Sequence, residues 1–343
     1  MGRRYGPTFV SMGERMTPAT STESTVLQGT FSTLKQQLSR SILGQEALVD
    51  RLLIALLADG HLLVEGAPGL AKTRAIKVLS ECIEADFHRV QFTPDLLPAD
   101  LTGTDVFRPQ DGSFLFQPGP LFHNLILADE INRAPAKVQS ALLEAMAERQ
   151  ITVGKTTYTL PRLFLVMATQ NPIEQEGTYP LPEAQLDRFL LHLKITYPAA
   201  ETERAILHLA RSEASGHSEP IETRLTQEQL FAARSEVLVL YMSENLERYL
   251  IEIFLATRDP SRAGARLGAR VQWGASPRAT IALDRCARAH AWLAGRDYVA
   301  PEDIQAVACD VLRHRVVLGY EAEAEGLTPD GVVETLVGLI PVP

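Results

Sequence analysis

The chain has 343 residues, 45% hydrophobic and 22% charged, values that suit a soluble globular protein with two cores rather than a disordered or fibrous chain. A net charge of -9 argues against nucleic acid as the main ligand, because phosphate-binding surfaces carry excess Lys and Arg. Cys82, Cys286 and Cys309 fit neither a disulfide framework nor metal-ligand spacing, and no apolar run reaches the roughly 18 residues of a membrane span.

Residues 1–24, rich in Ser, Thr, Gly and Arg, predict a disordered leader without a secretory h-region, so the chain is expected in the cytoplasm. From Leu27 to Leu57 apolar residues recur at helical spacing with a break at Gly44, which predicts two helices. His61 to Glu65 predicts a short strand, and a helical pattern resumes at Lys72 after a Gly-Pro turn. Four more strands are expected at Phe87–Phe92, Leu125–Ala128, Phe164–Ala168 and Phe189–Ile195. Their apolar runs are continuous rather than alternating, which predicts a parallel five-stranded sheet covered on both faces, in an α/β three-layer domain. Thr93–Leu121, dense in Pro, Gly and Asp, reads as an inserted loop or hairpin, and Gln150–Leu160 as a hairpin turning at Gly154-Lys155. Strand signals end near Tyr197. A boundary near Pro198 is therefore expected between an α/β domain over 25–197 and an all-α domain over 198–343, the latter with a Gly/Arg/Ala-rich loop from Asp259 to Gly274.

The chemistry concentrates in two motifs. Gly66-Ala67-Pro68-Gly69-Leu70-Ala71-Lys72-Thr73 follows a strand and opens a helix, the context of a phosphate-binding loop. Its N–H groups and the helix N-terminus would face phosphate, Lys72 would reach the β and γ phosphates of ATP, and Thr73 would offer its hydroxyl to Mg²⁺. Ala71 stands where a second glycine is usual, and its methyl group fits without strain only if φ is negative there. The second motif, Leu125-Ile126-Leu127-Ala128-Asp129-Glu130, ends a strand in two carboxylates. Asp129 is expected to hold Mg²⁺ and Glu130 to polarise the attacking water as general base.

These two motifs, together with Ala-Asp-Glu-Ile-Asn-Arg-Ala and Ala-Thr-Gln-Asn-Pro, resemble those of the MoxR family of AAA+ ATPases over about residues 27–343. The resemblance implies that a strand between the two motif strands carries Asn171 to the γ-phosphate as sensor 1. It implies an arginine finger at Arg188, in Leu181-Pro182-Glu183-Ala184-Gln185-Leu186-Asp187-Arg188-Phe189, acting on a neighbouring subunit. Arg133 is a second candidate, or it pairs with a carboxylate such as Glu130. Arg278, on a helix capped by Ser276, is implied as sensor 2, bridging a helical lid to the γ-phosphate, and Gln45 as part of the entry to the adenine pocket. Beyond this chain, the resemblance implies a hexameric ring and a separate protein partner with a von Willebrand factor A domain. The two insertions are similar to those of a wider group that includes magnesium chelatase, so a metal-chelatase motor is the alternative, ahead of a nucleic-acid motor.

Overall fold

The computed structural model describes residues 21–173, 177–216, 221, 224–263 and 270–343. Helices α1 (Ser21–Ser41) and α2 (Glu46–Leu57) precede β1 (Leu62–Glu65), α3 (Lys72–Cys82) and β2 (Phe87–Gln91). A short α4 (Pro98–Thr102) leads into the hairpin β3 (Gly103–Arg108) and β4 (Ser113–Pro118). Then come β5 (Leu125–Asp129), α5 (Ala136–Glu148), a second hairpin of β6 (Gln150–Val153) and β7 (Thr156–Thr159), β8 (Leu165–Gln170), a turn of helix α6 (Glu183–Leu186) and β9 (Leu191–Lys194). The remainder comprises α7 (Ala200–Ala214), α8 (Gln227–Val239), α9 (Glu244–Arg258), β10 (Val271–Trp273), α10 (Pro277–Leu293), α11 (Pro301–Leu312), β11 (Val317–Leu318), α12 (Tyr320–Ala324) and α13 (Pro329–Leu339).

Five strands form one parallel sheet in the order β2-β5-β8-β1-β9, as the continuous apolar runs predict. Successive side chains point to opposite faces. Leu62 and Val64 accordingly join the core beneath α1, α2 and α3, while Leu63 joins the one beneath α5. The first core runs on without interruption into the C-terminal helices, where Trp292 meets Phe31 of α1 edge to face at 5.1 Å. Three consecutive residues after α11 close the free edge of β9, a row of backbone groups that needs cover. Arg313 donates to the carbonyl of His192 at 2.6 Å, His314 meets that of Phe189 at 3.3 Å, and Arg315 donates to those of Phe189 and Leu190.

Both insertions are hairpins, β3–β4 and β6–β7. They lean on each other, with the rings of Phe116 and Tyr158 stacked at 4.0 Å and Phe122 packed edge-on against both. Two expectations need correction. The leader was placed through residue 24, but α1 begins at Ser21, and Ser24 Oγ donates to Glu236 Oε2 at 2.8 Å across the fold; residues 1–20 lie outside the described residues. The C-terminal part is not wholly helical either, because β10 and β11 pair antiparallel, a run too short to show as periodicity. Six residues of the Asp259–Gly274 loop, 264–269, also lie outside the described residues.

Candidate functional site

In a parallel sheet the loops that follow the strands gather at one edge. There β1 delivers residues 66–71, β5 delivers Asp129 and Glu130, and β8, lying between them, delivers Asn171. Pro68 and Gly69 form the exposed crest of the first loop, where Gly69 adopts φ 83°. Ala71 sits at φ 58°, so the condition for a strain-free methyl group is not met; a left-handed conformation costs an L-residue about 1–2 kcal/mol. Glu130 is also left-handed, at φ 57°. Strain of this kind concentrates where function over-determines the backbone.

Lys72 turns back to donate from Nζ to the Gly66 carbonyl at 2.5 Å. Burial pulls its pKa down, opposed by the nearby carboxylates of Asp129 and Glu130, so the three charges share one field. Asp129 Oδ1 accepts from Thr169 Oγ1 at 2.6 Å, and its Oδ2 accepts from Arg89 Nη2 at 2.7 Å. Glu130 Oε2 accepts from Gln91 Nε2 at 2.8 Å and pairs with Arg133 at 2.9 Å, the second of the two roles expected for that arginine. Arg89, Gln91 and Thr169 had not been singled out. They are brought to the carboxylates by the sheet register, in which Gln91 lies beside Asp129 and β8 lies beside β5. Asn171 is buried and its Oδ1 accepts from Ile173 N at 3.2 Å, a turn contact beside the same edge.

A cleft opens between the loop crest and α7, lined by Gln45, Gly69, Ala71, Arg74, Tyr197 and Ile206. Gln45 donates from Nε2 to the Thr196 carbonyl at 3.1 Å. Helix α7 has no buried residue and is tied to α3 by the paired contact of Arg74 with Glu213. Among the described residues no group of three or more His, Cys, Asp or Glu could hold a metal alone. Asp129 already satisfies a cation, the Arg89 guanidinium, and Thr73 heads α3 near the same edge. That donor set fits Mg²⁺ carried in on a nucleotide, since this ion keeps few protein ligands and relies on phosphate oxygens.

The remaining predicted residues lie elsewhere. Leu190 N donates to the His61 carbonyl at the start of β1, so Asp187 and Arg188 sit at the edge of the sheet where the strands begin. Ile195, by contrast, touches Gly66. At about 3.3 Å per residue, the climb from Leu190 to Ile195 is about 16 Å, longer than an arginine side chain. Arg188 Nη1 donates to the Leu143 carbonyl at 2.6 Å. Arg278 is exposed on the first turn of α10, whose N-cap Ser276 donates to Asp187 Oδ2 at 2.9 Å. The Asp187–Ser276 contact thus sets the start of α10 against the segment that carries Arg188, at the sheet edge opposite the phosphate loop.

Residues 61–191 match the family model described as "ATPase family associated with various cellular activities (AAA)", and residues 264–336 match that of the AAA lid domain. The chain is similar to "Chaperone MoxR1" of Mycobacterium tuberculosis, with 44% identity over 309 residues that cover 90% of this chain and 81% of that one. It is less similar to the magnesium-chelatase subunit ChlI-2 of Arabidopsis thaliana, with 29% identity over 60% of this chain and 47% of that one. The crystal structure of a proposed ATPase from Cytophaga hutchinsonii superposes with a TM-score of 0.87 at 45% identity, covering 94% of this chain and 97% of the other.

Proposed function

Because the chain belongs to the MoxR family of AAA+ ATPases, we propose that it hydrolyses ATP with Mg²⁺ at sites shared between subunits of a ring, and uses the cycle to remodel or activate a protein complex. The observation that carries this reading is the split of the charged residues between two sheet edges. Lys72, Thr73, Asp129, Glu130 and Asn171 stand at one edge and the segments carrying Arg188 and Arg278 at the other, so these two arginines are set to meet a nucleotide on an adjoining subunit rather than their own.

In this reading the backbone of residues 66–71 wraps the phosphates and Lys72 leaves the Gly66 carbonyl for the β and γ oxygens. Thr73 and Asp129 would hold Mg²⁺, which would supply neutralising charge to the phosphoryl oxygens. Glu130 accepts a proton from the attacking water, and Asn171 orients that water. Arg188 and Arg278 of the adjoining subunit meet the developing charge, and the base lies in the cleft beside Gln45 and α7. The ring is hexameric and cytoplasmic, and its partner carries a von Willebrand factor A domain; none of the described helices is long and apolar enough to cross a membrane. The match to a magnesium-chelatase subunit over 60% of the chain favours, as second reading, a motor for metal insertion by another subunit.

The test is steady-state ATPase rate against protein concentration for wild type, Glu130→Gln and Arg188→Ala, with mass in solution recorded in parallel. Specific activity should rise as oligomers form and fall about 10³-fold in Arg188→Ala while ATP still binds. A rate independent of concentration and untouched by Arg188→Ala would leave a monomeric enzyme and end the shared-site reading.

A further inference from the structure

Asp187 stands where three parts of the chain meet. Its Oδ1 accepts from Arg315 Nε at 2.7 Å, its Oδ2 accepts from Ser276 Oγ at 2.9 Å, and Arg188 is the next residue. Ser276 in turn accepts from the backbone N–H of Arg278 at 3.2 Å, as N-cap of α10. Arg315 has a side chain only 2% exposed and spends its remaining N–H groups on the carbonyls of Asp187, Phe189, Leu190 and Val311. A planar guanidinium with every donor committed has one orientation, and it imposes that orientation on its carboxylate.

Fastening β9 to α11 would need only the carbonyl contacts of Arg315. The carboxylate does something further, since its second oxygen reaches the helix that carries Arg278. Resting on the shared-site reading above, we propose that Asp187, held by Arg315, is a positioning residue that locks Arg188 and Arg278 into one unit and presents both guanidiniums together to the nucleotide of the adjoining subunit. The two arginines come from segments 90 residues apart, and without this carboxylate the start of α10, and Arg278 with it, would lose its tie to the segment in which Leu143 already holds Arg188. The edge is open for such a neighbour: Trp273, on the segment leading to α10, is 68% exposed beside Asp187 and Ser276 in one cleft.

The experiment mixes variants of the full chain. Asp187→Ala should keep nucleotide affinity and oligomer mass, because its own binding cleft is at the other edge, but lose about 100-fold in kcat, the cost of misplacing a reacting group by roughly 1 Å. Glu130→Gln supplies the complementary defect, having intact arginines and a dead base. Mixed rings of the two should be more active than the sum of the separate proteins, because an Asp187→Ala subunit then has the intact arginines of Glu130→Gln beside its own working base. Arg188→Ala mixed with Glu130→Gln is the control. If that control recovers activity and the Asp187→Ala mixture does not, or if Asp187→Ala alone keeps wild-type kcat, the positioning role is overturned while the shared site stands. If the control also fails to recover, the shared-site reading itself falls. Should Asp187→Ala not fold, Ser276→Ala, which cuts the link to α10 and leaves Arg315 in place, goes through the same mixing with the same criteria.

Discussion

Gly274 offers a way to move Arg278 without touching a charged residue. A Cβ built at Gly274 would lie 2.5 Å from the Thr257 carbonyl oxygen, 2.6 Å from its carbon and 2.7 Å from Arg258 Cα, all backbone atoms that cannot rotate away. Thr257 is itself fixed, being fully buried, donating to the Phe254 carbonyl at 2.7 Å and accepting from Ala275 N at 3.1 Å. Ordinary contact begins near 3.4 Å, so Gly274→Ala must open this approach by 0.9 Å, and the start of α10 is what gives. Overpacking of this kind costs about 1–3 kcal/mol, a fall of a few degrees in melting temperature for a chain of this length. A displacement close to 1 Å at Arg278 should lower kcat by about 100-fold. Thermal unfolding, equilibrium binding of a fluorescent ATP analogue and steady-state turnover separate these effects. The expected pattern is a lower melting temperature, unchanged binding and reduced kcat. Wild-type turnover together with a lowered melting temperature would mean that the placement of the α10 start does not govern catalysis.

Two further outcomes follow from the conformations described. Ala71→Gly should leave ATP affinity near wild type, whereas Ala71→Val puts a β-branched residue at φ 58° and should weaken binding at least about tenfold by shifting the loop; equal affinities would show that the loop does not need this conformation. His61 is buried, with Nδ1 accepting from Val166 N and Nε2 against the Met146 carbonyl, and burial together with Arg149 lowers its pKa to about 4. The unfolded chain therefore takes up a proton near pH 6.5 that the fold refuses until about pH 4. Its contribution is complete above pH 6.5 and declines as pH falls toward 4, by about 3 kcal/mol. His314, also lowered by burial, acts in the same direction. Denaturant midpoints between pH 4 and 7 should thus fall less steeply on acidification for His61→Gln than for wild type, and parallel curves would remove His61 from the account.

What could be read from the chain alone was what is local. The loop at 66–73 and the carboxylates at 129 and 130 are contiguous, and their strands announce themselves because both faces are buried. The partners of those carboxylates are set instead by register. Arg89 and Gln91 look like ordinary exposed residues of β2 until β2 is known to lie beside β5. The left-handed turns at Ala71 and Glu130 likewise have no glycine to mark them. Arg278 was singled out by resemblance alone, and its place beside Asp187 depends on how the C-terminal helices dock against β9 through Arg313, His314 and Arg315. Such long-range docking leaves no periodic trace.

The stack of Phe116 on Tyr158 makes the two insertions a single appendage with two roots, one following the strand that carries Gln91 and the other following the helix that leaves Glu130. Such an appendage cannot be inherited or grafted by halves. A relative that exchanged only the second hairpin would strip one face of Phe116 and unbalance the first, so lengths and ring sizes at the two roots should change together. The stack also makes the appendage a comparator: a tilt at either root alone is resisted by the rings, and only a movement common to both is passed outward.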